Sequence, residues 1–131
     1  LVLFAAKPAA AGSDFFAWGN GTATVSGTGY VDLSCHGFII VSSNAQVVMC
    51  GGNAVPVSLP DGRLLYSQFS GTATASGEAF EITCGGSLLW LRGQIQGTVF
   101  IKGSGYYKTG FQQGLWRADG ITIDITESSA Q

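Results

Sequence analysis

From Ser13 onward apolar and polar residues alternate along the chain, as in Thr22-Ala-Thr-Val-Ser26, Val31-Asp-Leu-Ser-Cys35 and Phe80-Glu-Ile-Thr-Cys84. A period of two sends successive side chains to opposite faces of an extended backbone, which is the pattern of a half-buried strand. No convincing stretch carries apolar residues at i, i+3, i+4 and i+7, and glycine interrupts nearly every window long enough for three helical turns. The alternation predicts strands over residues 15–18, 22–26, 29–35, 38–42, 46–50, 55–59, 64–69, 72–76, 79–84, 88–92, 95–102, 105–109, 115–117 and 121–126. Between them, Asn20-Gly21, Gly51-Gly52-Asn53, Pro60-Asp61-Gly62, Gly85-Gly86 and Asp119-Gly120 supply the positive φ that tight hairpins require.

A repeat runs through this pattern. Gly21-Thr-Ala-Thr-Val-Ser-Gly27 returns fifty positions later as Gly71-Thr-Ala-Thr-Ala-Ser-Gly77, and after one residue of slippage Val31-Asp32-Leu33-Ser34-Cys35 matches Phe80-Glu81-Ile82-Thr83-Cys84. The repeat predicts one two-strand unit used twice, with a bulge near Thr28-Gly29 absorbing the extra residue. Short strands with turns every 8 to 12 residues or so read as a single all-β domain over residues 13–131, an antiparallel β-sandwich or barrel. A glycine-rich β-solenoid is the alternative, against which stand irregular glycine spacing and only two copies of the repeat.

Composition changes the picture in one respect. At 131 residues the chain has the size of one domain, but only 11% of it is charged, against roughly 25% in ordinary soluble domains. Solvation therefore falls to Thr, Ser, Asn, Gln and Gly, as in secreted and envelope proteins, or part of the surface is covered by a partner. Six Lys and Arg, scattered singly in a chain of net charge −2, form no basic stripe. That excludes nucleic acid as the expected partner and argues against an anionic membrane surface.

Leu1-Val-Leu-Phe-Ala-Ala6, followed by Lys7-Pro8 and Ala9-Ala-Ala-Gly12, reads either as the rear of a secretory signal with its A-x-A site ending at Ala11, or as an apolar anchor or docking arm. Six apolar residues do not span a bilayer, which takes about 20. The expectation is export, to periplasm, cell surface or medium, with Leu1, Val2, Leu3, Phe4, Phe15 and Trp18 as the partner-docking residues and any membrane association made through a partner or anchor.

Three cysteines in an exported chain allow one disulfide. Cys35 and Cys84 end equivalent strands of the repeat, so their bridge is favoured over the Cys35–Cys50 and Cys50–Cys84 pairings, leaving Cys50 free and buried; the alternative is three unpaired buried thiols. Cys35-His36 with Cys50 and Cys84 lacks the short ligand spacing of a zinc knuckle, and neighbouring strand residues point apart, so neither a metal site, a cofactor nor a thiolate dyad is expected. Asp32 and Glu81 are equivalent carboxylates that would suit glycoside hydrolysis only if they faced one cleft.

The aromatic residues gather near the two ends: Phe15, Phe16 and Trp18, then Tyr106, Tyr107, Phe111 and Trp116. One of each adjacent pair should face outward. Tyr106, Tyr107 and Trp116 are the candidate aromatic platform. The sequence thus reads as a non-catalytic, exported structural or interaction subunit of an envelope, surface or filament assembly, partnered by other subunits or copies of itself. A carbohydrate-binding module is the first alternative, for which a row of exposed aromatics would speak, and a glycoside hydrolase-like enzyme the second.

Overall fold

The structure, a computed structural model, describes residues 13–50, 55–110 and 112–125. Its strands are β1 (Ser13–Val41), β2 (Gln46–Cys50), β3 (Pro56–Ser58), β4 (Leu64–Thr109), β5 (Gln113–Trp116) and β6 (Ile121–Ile125). They form one antiparallel sheet, and no helix occurs among the described residues. The chain is all-β, as the alternation predicts.

The strands differ from the expected short segments in being few and long. β1 runs for 29 residues and β4 for 46. β1 pairs with β4 along both of its edges: Trp18 lies opposite Trp90 on one side and Tyr106 on the other, Ala23 opposite Cys84 and Ile101, Val31 opposite Ala75 and Gly93. A two-stranded ribbon meets its own edge only by coiling, so β1 and β4 wind together, and most residues of β1 see β4 twice at sites sixteen to eighteen residues apart. Asn20-Gly21 and Gly85-Gly86, expected as hairpin turns, are instead points inside continuous strands where the ribbon changes direction. Turns of the expected kind occur at Leu59–Arg63 and at Arg117–Gly120, each closed by backbone hydrogen bonds. Gly51-Gly52-Asn53 lies outside the described residues.

Coiling sorts the segments into two ranks. The first runs, neighbour to neighbour, through 113–116, 105–109, 13–19, 89–95, 29–37, 69–77 and 46–50; the second through 121–125, 97–103, 21–27, 80–86, 38–41, 64–66 and 56–58. The chain passes from one rank to the other at paired glycines. Gly21, at φ 136°, and Gly103, at φ 135°, oppose each other, and a Cβ on either would fall 2.1 Å from a carbonyl oxygen of the other strand, Lys102 O and Asn20 O respectively. The close approach of two backbones is what excludes a side chain there.

Every fully buried residue of β1, from Phe15 to Val41, is at an odd position, so the period of two survives all the passages between ranks. β4 does not keep step: its buried positions are odd up to Ala75, even from Phe80 to Cys84, and odd again from Leu89 to Tyr107. The changes fall at Ala79 (φ 50°) and Leu88 (φ 53°), each an extra residue opposite a bend of β1. Side chains of β1 satisfy the displaced N–H groups: Ala79 N–H donates to Thr28 Oγ1 at 3.0 Å and Leu88 N–H to Asn20 Oδ1 at 3.0 Å. The predicted bulge thus sits beside Thr28, but on the opposite strand.

The repeat now has a structural reason. Residues 21–27 pair with 80–86, and 29–37 with 69–77, so the first half of each copy lies against the second half of the other. The inward residues of both ranks form one apolar core around Leu33, Ile39, Phe69, Phe80, Ile82, Leu91 and Ile101, with no buried polar side chain among the described residues. Burying one such side chain is worth about 1.5–3 kcal/mol.

Candidate functional site

The alternation that fills the core with odd positions of β1 sends its even positions outward. In segment 13–19 of the first rank these are Asp14, Phe16 and Trp18; the register sets them beside outward residues of 105–109 and of 89–95, which in turn lies beside Tyr30 and Asp32 of 29–37. Leu115, Tyr106, Trp18 and Trp90 lie side by side on four neighbouring segments. Below them run Lys108, Phe16, Arg92 and Asp32, and below these Asp14, Gln94 and Tyr30. Adjacent segments are about 4.8 Å apart, so three rows of side chains tile one face with aromatic rings at its centre.

The rings touch. Trp18 and Tyr106 have centroids 5.6 Å apart, and Phe16 lies 6.3 Å from both Trp18 and Trp90. Their planes are inclined by 43°, 55° and 77°, so the surface is a faceted cluster rather than a row of coplanar rings. Trp18 is 43% and Tyr30 40% exposed, while Phe16, Trp90 and Tyr106 are half-buried. Beside the cluster opens a depression of about 570 Å³, bounded by Phe16, Trp90 and Tyr30 on its apolar side and by Asp14, Gln94, Arg92 and Lys108 on its polar side.

The polar groups are partly committed. Gln94 Nε2 donates to Asp14 Oδ1 at 2.7 Å, Thr74 Oγ1 to Asp32 Oδ1 at 2.7 Å, and the Tyr106 hydroxyl to Gln113 Oε1 at 3.1 Å. Arg92 and Lys108 are exposed and make no ion pair among the described residues. The ion pair that does form, Arg63 Nε to Asp61 Oδ2 at 2.8 Å, is local to the 59–63 turn, where the Arg63 backbone N–H and then its guanidinium hold the Asp61 carboxyl below its ordinary range.

The expected platform is corrected in two of its three members. Tyr107 and Trp116 are core residues, 7% and 3% exposed, because they fall on inward positions of their strands; only Tyr106 reaches the surface. The Trp116 indole N–H donates to Tyr106 O at 3.1 Å, which ties β5 to the strand beneath the cluster. Of the expected docking residues, Phe15 is buried and Trp18 is part of the aromatic face, while Leu1, Val2, Leu3 and Phe4, like Phe111, lie outside the described residues. Trp90, Tyr30, Arg92 and Gln94 are site residues that sequence reading missed. The apolar run Leu88-Leu89-Trp90-Leu91 carries the signal, since four large apolar residues in succession must leave at least one facing outward.

Cys35 and Cys84 sit two residues before Gly37 and Gly86, which oppose each other at a bend. The bend places both thiols inside the core near enough to perturb each other, and both are free: the expected Cys35–Cys84 bridge is not formed in the structure. The Cys35 thiol donates to Phe38 O at 3.8 Å; its interaction with Cys84, together with the Gly85 N–H, holds Cys35 below the ordinary thiol range against its burial, while the interaction with Cys35 and burial push Cys84 up. Cys50, expected to be buried, is exposed on the edge strand β2. Asp32 and Glu81 belong to different ranks, the first accepting from Thr74 and the second from Ser26 at 3.5 Å, and share no neighbour. His36 is exposed, with its Nδ1 3.3 Å from Ser70 Oγ, and no three His, Cys, Asp or Glu side chains gather as a metal site among the described residues. No family model, curated protein or solved structure matches the chain.

Proposed function

We propose that this chain is an exported, non-catalytic binding module whose ligand is a glycan held on the aromatic face. The observation that carries this reading is the juxtaposition, across four neighbouring segments of β1 and β4, of Tyr106 and Trp18 with Phe16, Trp90 and Tyr30, the last three bordering one open depression together with the hydrogen-bonding side chains of Asp14, Gln94, Arg92 and Lys108. A sugar ring offers an apolar C–H face to an aromatic ring and a rim of hydroxyls to amides, carboxylates and guanidinium groups. Both kinds of partner are present within a few strand spacings, on a rigid scaffold whose core lies directly beneath. The rings are inclined to one another, which suits a branched or kinked glycan better than a flat ribbon chain. The low charge and Thr/Ser-rich exterior support export.

The test is a binding screen by isothermal titration and affinity electrophoresis against soluble polysaccharides, with wild type and Trp18→Ala/Trp90→Ala. The proposal expects binding that this double variant loses while its circular dichroism is unchanged. Wild-type affinity retained by the double variant would overturn it.

A second reading, as a subunit of an envelope or filament assembly, is favoured by the edge strands. Val48 and Val57 on β2 and β3 are 70% and 54% exposed, and Leu115 on β5 is 68% exposed. Apolar side chains on a sheet edge suit strand addition by a neighbouring copy. Analytical ultracentrifugation of wild type against Val48→Lys/Val57→Lys tests it: loss of self-association in the variant supports the assembly role, and a monomer throughout contradicts it.

A further inference from the structure

We infer that the depression on the aromatic face selects glycans bearing carboxylates, with Arg92 and Lys108 as the specificity-determining residues; the inference rests on the glycan reading of this face and names its ligand class. Phe16 lies between these two residues, opposite Lys108 on one side and Arg92 on the other, so the cations bracket a ring over two strand spacings, about 10 Å. Both side chains are exposed, both border the depression, and neither has an anionic partner among the described residues. Of the six cations in the whole chain, two converge here. That concentration is notable in a protein of net charge −2, whose general field repels anions.

Neither carboxylate nearby forms an ion pair with Arg92 or Lys108. Among the described residues Asp14 is the one carboxylate bordering the depression, and its Oδ1 is engaged by the Gln94 amide. Asp32 lies opposite Arg92 yet accepts from Thr74 instead. Among the described residues the lining of the depression holds two cations against one carboxylate, with aromatic rings alongside. A uronic acid residue matches this arrangement: its ring stacks on Trp90 or Phe16 while its carboxylate takes hydrogen bonds from the Arg92 guanidinium, a planar fork suited to carboxylate, or from the Lys108 ammonium. Neutral sugars satisfy the rings and leave both cations solvated. Charge therefore sets the preference, and the rings set the baseline affinity.

The experiment titrates wild-type protein with oligogalacturonate and with the same oligosaccharide after chemical reduction of its carboxylates to alcohols. The probes share chain length, linkage and hydroxyl pattern, so only the charge differs. Wild type is expected to bind the acidic probe about tenfold or more tightly than the reduced one in low salt, with the gap narrowing as salt rises. Arg92→Gln/Lys108→Gln, a change confined to exposed side chains, should bind the two probes equally, at the affinity of wild type for the reduced probe. Trp18→Ala/Trp90→Ala should bind neither. Equal affinity of wild type for both probes, or a preference for the reduced one, overturns the charge selection and leaves the glycan reading standing. Binding of neither probe by wild type overturns the charge selection, and failure across the wider polysaccharide screen overturns the glycan reading separately.

Discussion

Replacing Gly21 by alanine tests the paired-glycine bend on which the coiled ribbon depends. Two costs are separable. The backbone at φ 136° is one that L residues adopt reluctantly, at about 1–2 kcal/mol. The new Cβ would also fall 2.1 Å from Lys102 O and 2.9 Å from the Gly103 Cα. Contact normally stops near 3.4 Å, so β1 and β4 must part by more than 1 Å at a place where both are rigid backbone; such overpacking costs about 1–3 kcal/mol. The sum, about 2–5 kcal/mol, is a large share of a domain's total stability and corresponds to a fall in Tm of roughly 8–20 °C. Two other glycines calibrate it. Gly62, in a turn at φ 92° with nothing within 4 Å of its Cβ position, carries only the backbone cost; Gly62→Ala should lose about 1–2 kcal/mol. Gly110 has open space and no positive φ, so Gly110→Ala should fall between neutral and a gain of about 1 kcal/mol. Urea unfolding followed by circular dichroism gives the three values. If Gly21→Ala costs no more than Gly62→Ala, the backbones do not approach each other as described and the bend is built otherwise.

Other outcomes follow from the same packing. Thr28→Val keeps the side-chain shape but leaves the Ala79 N–H without its acceptor, and should cost about 1 kcal/mol by urea unfolding, whereas Thr74→Val, which removes the hydroxyl that an exposed Thr74 offers to Asp32, should stay within about 0.5 kcal/mol. Leu33→Ala, at a fully buried position, should cost about 2–5 kcal/mol. Alkylation of native protein followed by peptide mass mapping should label Cys50 alone, since it is exposed and the other two are not; labelling of all three would contradict the buried pair. Under oxidising refolding, Cys35 and Cys84 should be recovered linked, closing a loop of 49 residues and raising stability over the reduced form by about 4 kcal/mol.

The fold class was legible because inward and outward positions alternate without a break for nearly thirty residues of β1. What the alternation does not show is where a strand ends. Asn20-Gly21 has the chemistry of a hairpin turn, and only the pairing of Gly21 with Gly103, over eighty residues away, makes it a passage between ranks. The same holds for the shifts of parity in β4: Ala79 and Leu88 are ordinary residues in sequence, and their positive φ is imposed by the bends of β1 facing them. The repeat gave away the equivalence of Cys35 and Cys84 because matched halves pair with each other. The aromatic site was half-visible. Trp18 and Tyr106 stand out in the sequence as aromatic, but the placing of Trp90 beside Trp18 and of Tyr30 on the same face depends on register between segments far apart in the chain. Tyr107 and Trp116 were misplaced for want of that register, which fixes the face each residue takes.

The three tryptophans make the most direct test of the binding face. Trp18 and Trp90 lie on it, whereas Trp116 is buried with its indole N–H bonded to Tyr106 O. In a ¹H–¹⁵N correlation spectrum each gives one indole resonance, assignable with single Trp→Phe variants. Titration with oligogalacturonate should move the Trp18 and Trp90 indole signals along saturable curves of common affinity while the Trp116 signal stays within its line width. A saturable response that spares Trp18 and Trp90, or no response to any glycan in the screen, would contradict the assignment of this face as the ligand site.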